Sequence, residues 1–152
     1  MSGRRLVPLV ALALSAIALT ACSNSTGGGT TPAEGSDCDQ TKNVCVTERD
    51  FAIAPIPSKT QAGSVTFQIL NTGPSEHEFV VIATGLAPDA LPVKEGVVDE
   101  AGGGMKVVDE KEEIPSGTET SLTTNLKPGS YALICNLPGH YEQGMHAGFS
   151  VA

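Results

Sequence analysis

From residue 44 to the C-terminus, apolar and polar residues alternate in short runs separated by Gly, Pro, Asn and Asp. Such alternation over four to eight residues is the signature of a strand with one buried face. The run Val44-Cys-Val46-Thr-Glu-Arg-Asp-Phe51-Ala-Ile53 alternates at its start and end and stops at Pro55 and Pro57. Ser64-Val65-Thr-Phe67-Gln-Ile69-Leu70-Asn71 places Val, Phe and Ile on one face, and Thr72-Gly73-Pro74 turns the chain. His77-Glu-Phe79-Val80-Val81-Ile82-Ala83 is strand-like and nearly continuous in apolar content. Residues 118–126 are Thr-rich and polar, as suits an edge or half-exposed strand. Lys127-Pro128-Gly129 turns into Ser130-Tyr131-Ala132-Leu133-Ile134-Cys135, and Ala147-Gly-Phe149-Ser-Val151 closes the chain. Strands spaced this closely, punctuated by Gly and Pro, predict an all-β sandwich or barrel. In the stretch 84–115 the pattern is weakest: residues 88–98 read as one short helical turn, 105–108 as a short strand, and the three glycines at 102–104 as a mobile loop.

The first third of the chain follows a different pattern. Arg4 and Arg5 precede an apolar stretch from Leu6 to Leu19, and Leu19-Thr20-Ala21-Cys22 follows. This is the order of an export signal ending in a bacterial lipobox, with residues 1–21 removed and Cys22 carrying lipid. The apolar stretch is short for a membrane span, which needs about 20 residues. Residues 22–37 are rich in Gly, Ser and Thr, hold one alanine and no larger aliphatic side chain, and read as a flexible tether. A tether of this kind suits a carrier that meets membrane-bound partners, and it is equally a common spacer in lipoproteins. The globular domain is then 38–152, anchored by lipid to the extracytoplasmic face of the cell membrane.

Loss of the signal removes two of the nine basic residues and leaves 17 acidic ones, a net charge of −10. No basic patch exists for nucleic acid. Acidic density peaks at Asp99-Glu100 and at Asp109-Glu110-Lys111-Glu112-Glu113. Such a run can be a solvated loop, or it can steer a basic redox partner.

Candidate chemistry is concentrated in a few residues. Cys135, His140 and Met145 fall in the run Cys135-Asn-Leu-Pro-Gly-His140-Tyr-Glu-Gln-Gly-Met145, with His77 upstream in Ser-Glu-His77-Glu-Phe. One thiolate, two imidazoles and one thioether form the ligand list of a blue-copper electron-transfer centre. Two steps of five residues let one compact loop fold three of these side chains onto a single ion, and His77 joins them if its strand lies beside the one ending at Cys135. Zinc accepts Cys and His, but a thioether is a poor zinc ligand. Taken singly, Cys135 and Met145 would be core residues and the histidines surface or satisfied core residues; their joint spacing carries the reading. His146 is expected to face outward. Of the other cysteines, Cys22 is assigned to lipid, which leaves Cys38 and Cys45 for a disulfide in an oxidising compartment. A second metal site at these two is disfavoured, because no histidine lies nearby.

With these residues in place, the segment 44–151 resembles the cupredoxins, the plastocyanin/azurin-like type 1 blue copper proteins. The resemblance rests on Asn71-Thr-Gly73 leading to His77-Glu-Phe79-Val80-Val81, on Pro128-Gly129-Ser-Tyr131 before Cys135, and on the ligand loop. Four residues separate Cys135 from His140 and four separate His140 from Met145. That spacing is similar to rusticyanin, auracyanin and sulfocyanin, whereas plastocyanins have a shorter first interval and azurins a shorter second one. The resemblance implies a Greek-key β-sandwich, one copper ion held by His77, Cys135, His140 and Met145, and electron passage at His140 inside an apolar collar of Leu137, Pro138 and Tyr141. It implies a monomer that exchanges electrons with protein donors and acceptors, membrane complexes among them, docking near His140. One residue departs from the pattern: Glu78 stands where many cupredoxins place Asn or Ser to tie the ligand loops together. An electron carrier is favoured over a copper-delivery protein, which relies on exposed Met- or His-rich ligands; this chain has three Met and three His. Catalysis by a multicopper oxidase or nitrite reductase needs further histidine-built sites, which His146 alone cannot supply, so no enzyme activity is expected.

Overall fold

A computed structural model describes residues 37–152. The export signal, Cys22 and all of the tether but its last residue lie outside the described residues. Eleven strands follow one another: β1 (Val44–Arg49), β2 (Ala52–Ile56), β3 (Lys59–Thr60), β4 (Gly63–Asn71), β5 (His77–Thr84), β6 (Val93–Lys94), β7 (Val97–Val98), β8 (Met105–Ile114), β9 (Glu119–Leu126), β10 (Gly129–Ile134) and β11 (His146–Val151). They build a four-stranded sheet in the order β2-β1-β4-β9, a five-stranded sheet in the order β3-β11-β10-β5-β8, and a small β6-β7 hairpin. The two larger sheets form the expected all-β Greek-key sandwich.

Alternation decides which side chains fill it. Val44 and Val46 of β1, Val65, Phe67 and Ile69 of β4, Phe79 and Val81 of β5, Leu133 of β10 and Phe149 of β11 form one buried core. Phe67 is central, with ring centroids 5.2 Å from Phe79 and 5.4 Å from Phe149. Offset and edge contacts of this kind add to the large apolar area each ring removes from water. The near-continuous apolar runs in β5 and β10 have a separate cause. Their other face, Val80, Ile82, Ala132 and Ile134, is covered by Leu91, Val98 and Tyr141. Strands buried on both faces lose the alternation that one-sided strands show.

Three expectations need correction. The run 44–53 is a β1–β2 hairpin, with Arg49 opposite Ala52 and Asp50 and Phe51 in the turn, and β2 runs on through Pro55. The Pro55 position is tolerated because β2 is an edge strand, where a missing N–H faces no neighbour. Residues 88–98 contain no helical turn; they lead into the β6–β7 hairpin, with Glu95 and Gly96 at positive φ between its arms. The strand at 105 continues to Ile114 along β5, so the acidic run 109–113 lies on an edge strand and not in a loop. Of residues 118–126, Glu119–Leu126 do form an edge strand, β9. Cys38 and Cys45 are disulfide-bonded, fastening the segment before β1 to that strand.

One core position breaks the pattern of apolar residues facing inward. Glu48 occupies the inward register of β1 after Val44 and Val46, is 0 % exposed, and neither carboxylate oxygen has a hydrogen-bond partner. Burial, helped by the charge of Glu78, pushes its pKa up to about 8. The unfolded chain releases this proton above its ordinary value of 4.5, while the folded chain retains it to about 8. Stability is therefore lost as pH rises between those values, by on the order of 1 kcal/mol per pH unit from this residue. Denaturant unfolding of the metal-free protein from pH 5 to 8 should show that decline, and Glu48→Gln should flatten it. Parallel profiles for the two proteins would rule out the buried-acid interpretation.

Candidate metal centre

Four expected ligands come from two strand ends and one loop. Antiparallel pairing sets Ile134 of β10 opposite Val80 of β5, so the start of β5 and the end of β10 meet at one end of the sandwich. His77 and Cys135 both take inward positions there, and both are 0 % exposed. The turn before His77 is fixed by Asn71, whose side-chain amide donates to the carbonyls of Ser75 and Ile114 while its oxygen accepts from Gly73 N–H. The loop after Cys135 is closed by its own backbone: Cys135 N–H donates to the Met145 carbonyl and Met145 N–H to the His140 carbonyl, each at 3.1 Å. Gly139 turns this loop at φ 79°, a conformation that favours glycine, and its N–H donates to the Gly96 carbonyl of the β6–β7 turn.

The result is a convergence of donor atoms. His77 Nδ1 and His140 Nδ1 are 3.3 Å apart, and Cys135 Sγ lies 3.9 Å from the first and 3.4 Å from the second. A circle through these three atoms has a radius of about 2.1 Å, close to metal–nitrogen and metal–sulfur bond lengths. One ion in their plane would reach all three. Among the described residues no other group of His, Cys, Asp and Glu converges in this way. Met145 is completely buried in the same core, tied by its backbone to both Cys135 and His140. His146, the next residue, points away and packs on Tyr141 with centroids 5.3 Å apart.

The surroundings orient each donor. Glu78 N–H points at Cys135 Sγ from 3.4 Å. Burial nevertheless pushes the Cys135 thiol up to about 11, so the metal-free protein holds a neutral thiol that must lose its proton on binding metal. Burial lowers the His77 pKa, against the opposing pull of Asp50, and keeps the imidazole neutral and able to ligate. Asp50 Oδ1 lies 3.1 Å from His77 Nε2 but out of line for a hydrogen bond, and neither atom has another partner. A carboxylate this close to the remote nitrogen favours the tautomer that carries the proton there and leaves Nδ1 free to ligate. Ser75 donates to the other Asp50 oxygen and is the main cause of that carboxyl's lowered pKa. Gly73 makes room for the arrangement: a Cβ there would fall 2.5 Å from Asp50 Oδ1 and 3.0 Å from His77 Nε2.

Sequence reasoning missed these neighbours and misplaced one. Asp50 and Phe51 were hidden inside an assumed strand. In the turn, the Phe51 ring meets His140 edge-on at 5.3 Å and stays partly exposed. Tyr141 is not part of a collar: it is buried on the outer face of the five-stranded sheet, its hydroxyl donating to the Pro88 carbonyl and accepting from Leu91 N–H. Pro138 is exposed and Leu137 half-buried, so Phe51 takes the place expected for Tyr141 beside His140. Glu78, the departure from the family pattern, lies beside Asn136, the residue after Cys135, with which it lines a common groove. The Asn136 side chain in turn holds Val98 and Glu100. Both acidic runs reach this corner, where Glu78, Asp99, Glu100, Glu110 and Glu112 line one groove.

The sulfocyanin (SoxE) domain family matches residues 51–152. The chain belongs to that family. Among solved structures, this sulfocyanin-family chain is similar to dithionite-reduced auracyanin from the photosynthetic bacterium Roseiflexus castenholzii, at 19 % identity and TM-score 0.53, covering 73 % of this chain and 97 % of that one. Rusticyanin from Thiobacillus ferrooxidans matches at 21 % identity and TM-score 0.51, covering 73 % and 78 %. Auracyanin A from the green thermophilic photosynthetic bacterium Chloroflexus aurantiacus, described as a "blue" copper protein, matches at 17 % identity and TM-score 0.51, covering 72 % and 98 %. At these identities the likeness establishes the cupredoxin fold. No curated protein matches the chain. Cupredoxins bind one copper ion and act as electron carriers, and the donor set here fits that ion: two imidazole nitrogens and a sulfur within 3.9 Å of one another, with a buried methionine nearby.

Removing the carboxylate behind His77 tests how far the surroundings hold the site. Asp50→Ala should weaken copper binding about 10- to 100-fold in competition with a chelator. Unchanged affinity would mean that packing alone orients His77.

Proposed function

We propose that His77, Cys135, His140 and Met145 hold one type 1 copper ion, and that the chain carries single electrons between protein partners outside the cytoplasm. The observation that supports this best is the buried triangle of Cys135 Sγ and the two histidine Nδ1 atoms. Copper in such a set cycles between Cu(II) and Cu(I), and donors that move little between the two states keep the reorganisation small. The chain's own part is to hold the donors still and dry. His77 and Cys135 are braced by Asp50 and by Glu78 N–H, and His77, Cys135 and Met145 are closed to solvent. His140 alone of the four is partly exposed, so electrons enter and leave there, beside Phe51 and Pro138. Donor and acceptor, membrane complexes among them, dock on this end of a monomer.

The second reading, delivery of copper to other envelope proteins, asks for ligands that exchange readily. Complete burial of Cys135 and Met145 opposes it. The N-terminal pattern adds a lipid at Cys22, holding the domain of residues 38–152 by a tether at the outer face of the membrane.

Loading the protein with Cu(II) should give an intense thiolate-to-copper absorption in the red part of the visible spectrum, bleached by reduction and restored by oxidation. Cys135→Ser should abolish the colour, and Met145→Leu should keep it while moving the reduction potential. A colourless protein that binds only Cu(I) and passes it to an acceptor would establish the delivery reading instead. Cell fractionation of Cys22→Ser should find the domain released from membranes; retention would remove the lipid anchor from the proposal.

A further inference from the structure

Glu48 is the one fully buried carboxylate among the described residues, and no part of the electron-carrier reading uses it. It is 0 % exposed, both oxygens lack a partner, and it shares the inner face of β1 with Val44 and Val46. An unpaired ionised carboxylate in such a place is costly, so in the metal-free protein the side chain is held as the neutral acid, and only added positive charge close by, such as an oxidised metal centre brings, would favour its ionised form. Its position is the end of the sandwich that carries the metal ligands. Two residues further on, Asp50 stands 3.1 Å from His77 Nε2, and the Glu48 carbonyl accepts from Thr72 at the turn leading to His77. A negative charge on Glu48 would disfavour ionisation of the Cys135 thiol, although no hydrogen bond joins the Glu48 carboxyl to any of the four ligands. A change of one unit of charge at the centre would therefore be felt at Glu48 through a poorly screening interior.

We propose that Glu48 is the proton partner of the electron: it takes one proton from solvent when the centre accepts one electron from its protein donor, and returns it on oxidation. This rests on the electron-carrier reading. The charges balance, because the added electron and the added proton leave the core's net charge unchanged. The other groups bearing on Glu48 come from several elements. Glu78 on β5 opposes its ionisation, as does any negative charge at Cys135. His77 and His140 belong to the centre itself. Asp50, in the β1–β2 turn, is engaged by Ser75. Arg49, next on β1, faces solvent, β2 carries no titratable side chain, and the β4 residue opposite Glu48 is the neutral Asn71. Glu78 is the only other acid of this set with a raised pKa, which makes it the control.

The test is the reduction potential of the copper-loaded full chain from pH 6 to 10, for wild type, Glu48→Gln and Glu78→Gln. Proton-linked reduction lowers the redox equilibrium up to tenfold per pH unit, about 59 mV for one electron. That slope should appear in wild type and Glu78→Gln and vanish in Glu48→Gln. Reduced-minus-oxidised infrared spectra of wild type should show a protonated carboxyl C=O band on reduction, shifted by 13C-labelled glutamate, which decides the matter even if Glu48→Gln fails to fold. A blue wild-type protein with a flat profile and no such band overturns the inference alone, as does a slope that survives Glu48→Gln or is lost in Glu78→Gln. Absence of the blue absorption overturns the electron-carrier reading and this inference with it.

Discussion

In the ladder between β5 and β10, Ile134 stands opposite Val80 and Leu133 opposite Val81. Everything at the site follows from that register. It brings the first residue of one strand, His77, beside the residue just past the other, Cys135, with both on the inner face. It also points Glu78 N–H at the Cys135 sulfur. A one-residue slip would send every side chain of the strand to the opposite face. The slip is resisted from both sides, because Phe79 and Val81 are packed in the sandwich core while Val80 and Ile82 are packed outside it. The register that sets the donor positions is thus held by apolar burial well away from the donors.

The polar residues placed in this end of the core have different means of support. Asn71 is fully buried with its amide donating twice and its oxygen accepting once, so its burial costs little while it shapes the turn into His77. His77 is backed by Asp50, and room for that pair depends on Gly73 having no side chain. Cys135 receives one N–H and remains a neutral thiol in the metal-free protein. Glu48 receives nothing, and its neutral form is the compromise. A buried acid that no packing rule requires is the kind of local inconsistency expected near a functional site.

Much of this was legible in the sequence, for identifiable reasons. The sandwich could be read because β4 alternates cleanly and because the turns at Gly73 and Gly129 bound the strands. The convergence of His77, Cys135 and His140 could be read because the five-residue steps and the strand start are local features. The hairpin at Asp50 and Phe51 could not, since the apolar residues on either side of the turn kept a strand-like pattern across it. The role expected of Tyr141 failed because a tyrosine in a ligand loop gives no sign of which side it faces; its hydroxyl is used by Pro88 and Leu91, residues of the stretch least readable from the sequence. Glu48 was passed over as the polar half of an alternation whose phase places it inside.

The structure thus joins two buried donors, His77 and Cys135, to a third, His140, that reaches the surface beside an aromatic ring. That division suits transfer of electrons better than transfer of the ion, since three of the four proposed ligands have no route to solvent. The most direct measurement is diffraction from crystals of the copper-loaded protein at energies on either side of the copper absorption edge. A single copper peak should lie within bonding distance of His77 Nδ1, His140 Nδ1 and Cys135 Sγ, with the Met145 thioether as a longer fourth neighbour. A copper peak bound elsewhere, or one lacking the Cys135 sulfur among its ligands, would contradict the type 1 centre.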